Sequence, residues 1–170
     1  NYDYIQNTLV FTINVWVKID DLNHRGVIAA TTVTNAEKGF FLLFENGTGN
    51  GTKALRFTAT KGDDINFEPV IKIKSDDNAI NDNNYHLVSI IGSGNDVDIK
   101  VDNVLLGKTI LKSFTSLSSG TGNSTLFLGV GRDDNIVPYK GYLDEFSIDP
   151  TTFTAGQLSN VWNSSNGITI

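Results

Sequence analysis

Leu9-Val10-Phe11-Thr12-Ile13-Asn14-Val15-Trp16-Val17-Lys18 sets apolar side chains at positions 9, 11, 13, 15 and 17, with Thr12, Asn14 and Lys18 between them. Successive side chains of a β-strand point to opposite faces, so a period of two reads as a strand with one buried face. Trp16 falls on the other face, where a large aromatic is expected to be covered by a loop or by a helix. The same pattern recurs at residues 27–32, 39–45, 54–60, 70–74, 85–91, 97–101, 104–110, 125–130 and 141–148. Between these runs stand Asn46-Gly47, Asn50-Gly51, Gly94-Asn95, Asp102-Asn103 and similar pairs, whose residues tolerate the positive φ of tight antiparallel turns. Ten short strands joined by hairpin signals predict an all-β fold, a two-sheet antiparallel sandwich of the jelly-roll kind. One short C-terminal helix is expected, because Thr154 and Gln157 form a capping box and Leu158, Val161 and Trp162 follow on one face. No linker or repeat divides the chain, so residues 1–170 read as one domain.

Composition narrows the functions. Thirteen basic against nineteen acidic residues give a net charge of −6, the wrong sign for nucleic acid or an anionic membrane surface. The apolar run at residues 40–44 is far too short to insert in a bilayer. Cysteine is absent, which excludes thiol catalysis, thiolate zinc sites and disulfides. Methionine is absent too and strand-like sequence starts within ten residues of Asn1, so the chain is expected to be a piece of a longer one, with neighbouring domains as partners.

Catalytic patterns fail on inspection. Gly107-Lys108-Thr109 resembles the end of a phosphate loop, but Asp102 stands where its first glycine belongs. Asp76-Asp77-Asn78 lacks the central glycine and final glutamate of a calcium loop. Only two histidines occur, His24 and His86, and His86 lies inside a strand pattern as a packed or rim imidazole. The acids at 96, 98 and 102 alternate with Val97, Ile99 and Val101 and read as one solvated strand face.

Three segments together resemble the laminin G-like branch of the concanavalin A-like lectin and glucanase superfamily. Phe11-Thr12-Ile13-Asn14-Val15-Trp16-Val17 is similar to the family's opening strand. Asn84-Tyr85-His86-Leu87-Val88 followed by Val97-Asp98-Ile99-Lys100-Val101-Asp102-Asn103 resembles its central hairpin, with Tyr85 for the usual tryptophan and Asn103 for the usual glycine. Leu126-Phe127-Leu128-Gly129, then Gly141-Tyr142-Leu143-Asp144-Glu145-Phe146-Ser147-Ile148 and the helix to Trp162, resembles its closing strands and helix. The glucanase members carry Glu-x-Asp-x-(x)-Glu; here Asp144-Glu145-Phe146-Ser147-Ile148-Asp149 puts Ser147 at the central aspartate and offers no second glutamate.

The resemblance therefore implies a noncatalytic glycan-binding or adhesion module, partnered by a glycan or a surface protein, at an extracellular, cell-surface or virion-surface location. A structural module of a phage or virus particle is the alternative and a glycoside hydrolase the third reading, since one fold hosts many functions. For a sugar, the 131–139 loop offers polar groups beside a ring: Arg132, Asp133, Asn135 and Tyr139. Strict alternation puts Asp144 on the apolar side with Phe146 and Ile148, where a carboxylate must be compensated. The resemblance favours a structural calcium ion there, with Asp3 as a second ligand.

Overall fold

The computed structural model describes residues 2, 4–31, 38–47, 51–61, 71–110, 125–130 and 138–163. In chain order these form α1 (Tyr4–Thr8), β1 (Val10–Ile19), β2 (Gly26–Ala30), β3 (Lys38–Gly47), β4 (Gly51–Lys61), β5 (Ile71–Lys74), β6 (Tyr85–Ser93), β7 (Asp96–Val101), β8 (Val104–Ile110), β9 (Phe127–Leu128), β10 (Gly141–Asp149) and α2 (Ala155–Trp162). The first sheet runs β10-β1-β6-β7-β8 and the second β5-β4-β3-β2-β9. Their strand pairs are antiparallel. Two sheets face to face, each giving one set of alternate side chains to the space between them, is the sandwich expected from the period of two.

Phe11, Ile13, Val15 and Val17 of β1 are fully buried there, with Phe40, Leu42 and Phe44 of β3 and Leu55 and Phe57 of β4. The Phe57 ring lies 5.6 Å from that of Phe11 across the sandwich and 5.9 Å from that of Phe40 on its own sheet. Phe41 and Leu43 point the other way and join Val27 and Ala30 in a separate apolar cluster. Residues 40–44 are apolar on both faces, so alternation could not fix which face is inner. Leu128 is 42% exposed on the two-residue edge strand β9.

Two features were not expected. The short helix α1 seats Ile5 in the core and ends where the Thr8 hydroxyl donates to the Tyr4 carbonyl and accepts from the Val10 amide. A β-bulge interrupts β10. Asn14 pairs with Ser147 but Trp16 pairs with Asp144, so three residues of β10 match two of β1, and Glu145 takes a left-handed φ of 47°. The extra residue resets the alternation. Ile148, Phe146 and Leu143 pack against the core, and Asp144 turns outward, where it is exposed. This corrects the expected burial of the Asp144 carboxylate.

The expected capping box is present: the Thr154 hydroxyl accepts from the Gln157 amide, the Gln157 side chain accepts from the Thr154 amide, and α2 follows. The segment leading to α2 crosses the outer face of the first sheet. There the Thr12 hydroxyl donates to the Thr151 carbonyl at 2.8 Å and accepts from the Phe153 amide at 2.9 Å. On that face Thr12 and Asn14 are inaccessible, and Trp16 is covered as expected, at 5% exposure.

Candidate functional site

Glu45 is the residue that sequence reading passed over. It ends the apolar run of β3 on the outer face of the second sheet, yet its side chain is 1% exposed. A buried carboxylate needs compensating charge. Two guanidinium groups supply it: Arg25 Nε lies 2.9 Å from Glu45 Oε2, and Arg56 Nη2 lies 2.8 Å from Oε1. Arg25 stands just before β2 and Arg56 sits mid-strand in β4, so three elements of one sheet converge on the carboxylate. Arg56 also lies over the Phe41 ring, 5.8 Å from its centroid. Burial pushes the Arg56 guanidinium below its ordinary value, with Glu45 opposing that shift and Arg25 adding to it.

The arrangement is graded in exposure. The Arg56 side chain is 12% exposed and the Arg25 side chain 46%, so Arg25 presents its guanidinium to solvent while Glu45 anchors its Nε. Thr58, opposite Phe41 in the ladder, carries a buried hydroxyl with no hydrogen-bond partner among the described residues. A guanidinium held in place by a carboxylate and open to solvent can bind a planar anion such as a carboxylate and orient the group that bears it. The sequence signal was a single glutamate closing the run Phe40–Phe44, and an arginine alternating with Leu55 and Phe57.

Tyr139, expected as the ring of a sugar site, is partly buried. Its ring packs against the core and its hydroxyl donates to the Lys18 carbonyl at 3.0 Å. Burial pushes the phenol well above its ordinary value, with Asp20 and Tyr85 adding to the shift. Arg132, Asp133 and Asn135 lie outside the described residues, as does Asp3. Asp144 Oδ1 accepts the Glu145 amide at 2.8 Å. Among the described residues no group of three His, Asp or Glu side chains is placed to hold a metal ion.

His86 proves to be a rim imidazole with a structural task. Its Nδ1 lies 2.7 Å from Asp102 Oδ2 and its Nε2 lies 2.9 Å from Asp82 Oδ1. Asp102 also accepts the Leu87 amide and sits with Asn103 at left-handed φ in the two-residue turn between β7 and β8. The bond to Asp102 raises the His86 pKa from 6.5 to about 9; burial opposes it and Asp82 adds to it. A raised folded-state pKa stabilises the fold fully below 6.5 and loses that stabilisation as pH rises through about 9. Because Asp82 and Asp102 are 45% and 31% exposed, the effect is set at about 1–2 kcal/mol. Thermal melts at pH 6 and pH 9.5 should differ accordingly, and His86→Gln should flatten the difference.

The chain belongs to the laminin G-like family of the concanavalin A-like lectin/glucanases superfamily, whose family model matches residues 3–159. No curated protein sequence matches it. Among solved structures, it is similar to the Ruminococcus gnavus IT-sialidase CBM40 bound to α2,3-sialyllactose, with a TM-score of 0.68 and 15% identity over 96% of this chain and 85% of that one. It is similar to the botulinum neurotoxin serotype D binding domain, with a TM-score of 0.66 and 16% identity over 96% of this chain and 38% of that one. A leech intramolecular trans-sialidase matches with a TM-score of 0.69 and 13% identity, over 98% of this chain but 25% of the enzyme. At such identities the likeness establishes a shared fold.

Proposed function

We propose that this chain is a noncatalytic glycan-binding module that holds an acidic sugar through Arg25 on the outer face of the second sheet, and that it works at a cell surface, on a virion or outside the cell. The observation that carries the reading is the half-exposed Arg25 guanidinium, whose position is fixed by the buried Glu45 carboxylate. A guanidinium so fixed loses little freedom when it meets a carboxylate, so more of the interaction survives as affinity. The family model and the likeness to a module bound to sialyllactose support a sugar acid as the class of ligand. Calcium at Asp144 and Asp3 remains a separate proposal, carried by the family resemblance alone.

Calorimetric titration with 3′-sialyllactose tests the reading. Binding is expected, and Arg25→Gln should weaken it by at least about tenfold, the loss of one charge-assisted bond pair. A modest fall in the melting point is expected, because the buried Glu45 keeps Arg56 but loses one of its two cationic partners, so affinities are compared where the variant is shown to be folded. Unchanged affinity in that variant, or no binding by the parent, would overturn the assignment.

A further inference from the structure

The outer face of the first sheet carries a second set of ligand-type groups. Lys18 lies opposite Tyr142 on β10 and opposite Tyr85 on β6, so the three side chains form one row across three neighbouring strands. Val17 and Ile19 point into the core, which puts the row on the outer face. Tyr142 is 56% exposed and Tyr85 47%. The Lys18 ammonium stands 5.3 Å from the Tyr142 ring centroid. Asp144, also exposed, lies in the next row opposite Trp16. Gly141 makes the placement possible: a Cβ there would come within 1.9 Å of the Lys18 carbonyl oxygen, so any other residue would push Tyr142 away.

We propose that Tyr142, Lys18 and Tyr85 form a carbohydrate site distinct from the Arg25 site and on the opposite sheet, one that takes a linear β-1,4-linked oligosaccharide. Two strand spacings separate the tyrosines, about 9.6 Å. That separation matches the repeat at which a two-fold β-1,4-linked chain presents the same pyranose face, so sugars n and n+2 stack on the two rings. Lys18 then donates to hydroxyls of the sugar between them, and Asp144 accepts from a neighbouring hydroxyl. Exposed rings with polar groups at their edges suit the mixed apolar and hydroxyl surface of a sugar. A protein partner fits less well, because lysine is depleted from the centres of protein interfaces.

Titration with cellotetraose and chitotetraose, read by calorimetry and by saturation transfer to the sugar protons, tests the site. At least one of these probes should bind. Tyr142→Ala and Tyr85→Ala should each weaken it several-fold to about tenfold, and the double variant should abolish it. Melting points should stay close to the parent's, since both side chains are largely exposed. Arg25→Gln should leave this binding intact, and the tyrosine variants should leave 3′-sialyllactose binding intact, so either site can fail without the other. Failure of both probes, or binding that persists in the double variant, would overturn the proposal. Self-association of the parent that the tyrosine variants dissolve, without sugar binding, would also overturn it and make the row a protein contact.

Discussion

Glu45→Ala should destabilise the fold by about 3–5 kcal/mol, lowering the melting point by roughly 6–20 °C. The size follows from the difference between the two arginines. Arg25 keeps nearly half of its surface in water and can be solvated without its partner, whereas Arg56 is 12% exposed and already pushed towards neutrality by burial. Removing the carboxylate leaves the Arg56 charge uncompensated beside a second positive charge. Adding Arg56→Met to Glu45→Leu should restore most of the loss, because apolar groups of similar volume replace a buried ion pair with little penalty. Chemical denaturation of the single and double variants measures both numbers. A loss below about 1 kcal/mol in Glu45→Ala would mean that water reaches Arg56 freely.

Phe57→Ala is expected to cost about 3–5 kcal/mol by removing the ring that bridges the two sheets. Phe57 lies against Phe11 of the facing sheet and Phe40 of its own, and all three are fully buried. The three strands that carry these rings, β1, β3 and β4, are each hydrogen-bonded on both sides and cannot collapse into the space. Phe57→Leu fills much of that volume and should cost clearly less. Urea unfolding of the two variants compares them; equal losses would show that ring contact, not filled volume, is what matters there.

The strands were legible because their chemistry repeats every two residues, and the capping box was legible because Thr154 and Gln157 sit at the spacing the motif requires. Facing was legible only where one side of a strand is polar. Thr12, Asn14 and Lys18 mark the outer side of β1, whereas Phe40–Phe44 offers no such mark. The β10 bulge lay beyond reach for a different reason. One extra residue shifts the phase of everything before it, and Glu145 in a left-handed conformation carries no glycine or asparagine to announce it. Asp144 was therefore assigned to the wrong face. The Arg25–Glu45–Arg56 cluster joins residues up to 31 positions apart, and only the pairing of β2, β3 and β4 brings them together.

The position of β1 in its sheet has a bearing on how the protein is made. The strand formed by residues 10–19 is flanked by β6 and β10, and its Thr12 pairs with Asp149. A chain emerging from the ribosome therefore carries β1 well before the strand that becomes its second neighbour. Until residue 149 is free, β1 can be hydrogen-bonded on one side only, and its open side can recruit the same strand of another nascent chain. Closure of this sheet waits for residue 149, and the fate of a truncated product is decided by whether the Gly141–Asp149 strand was reached.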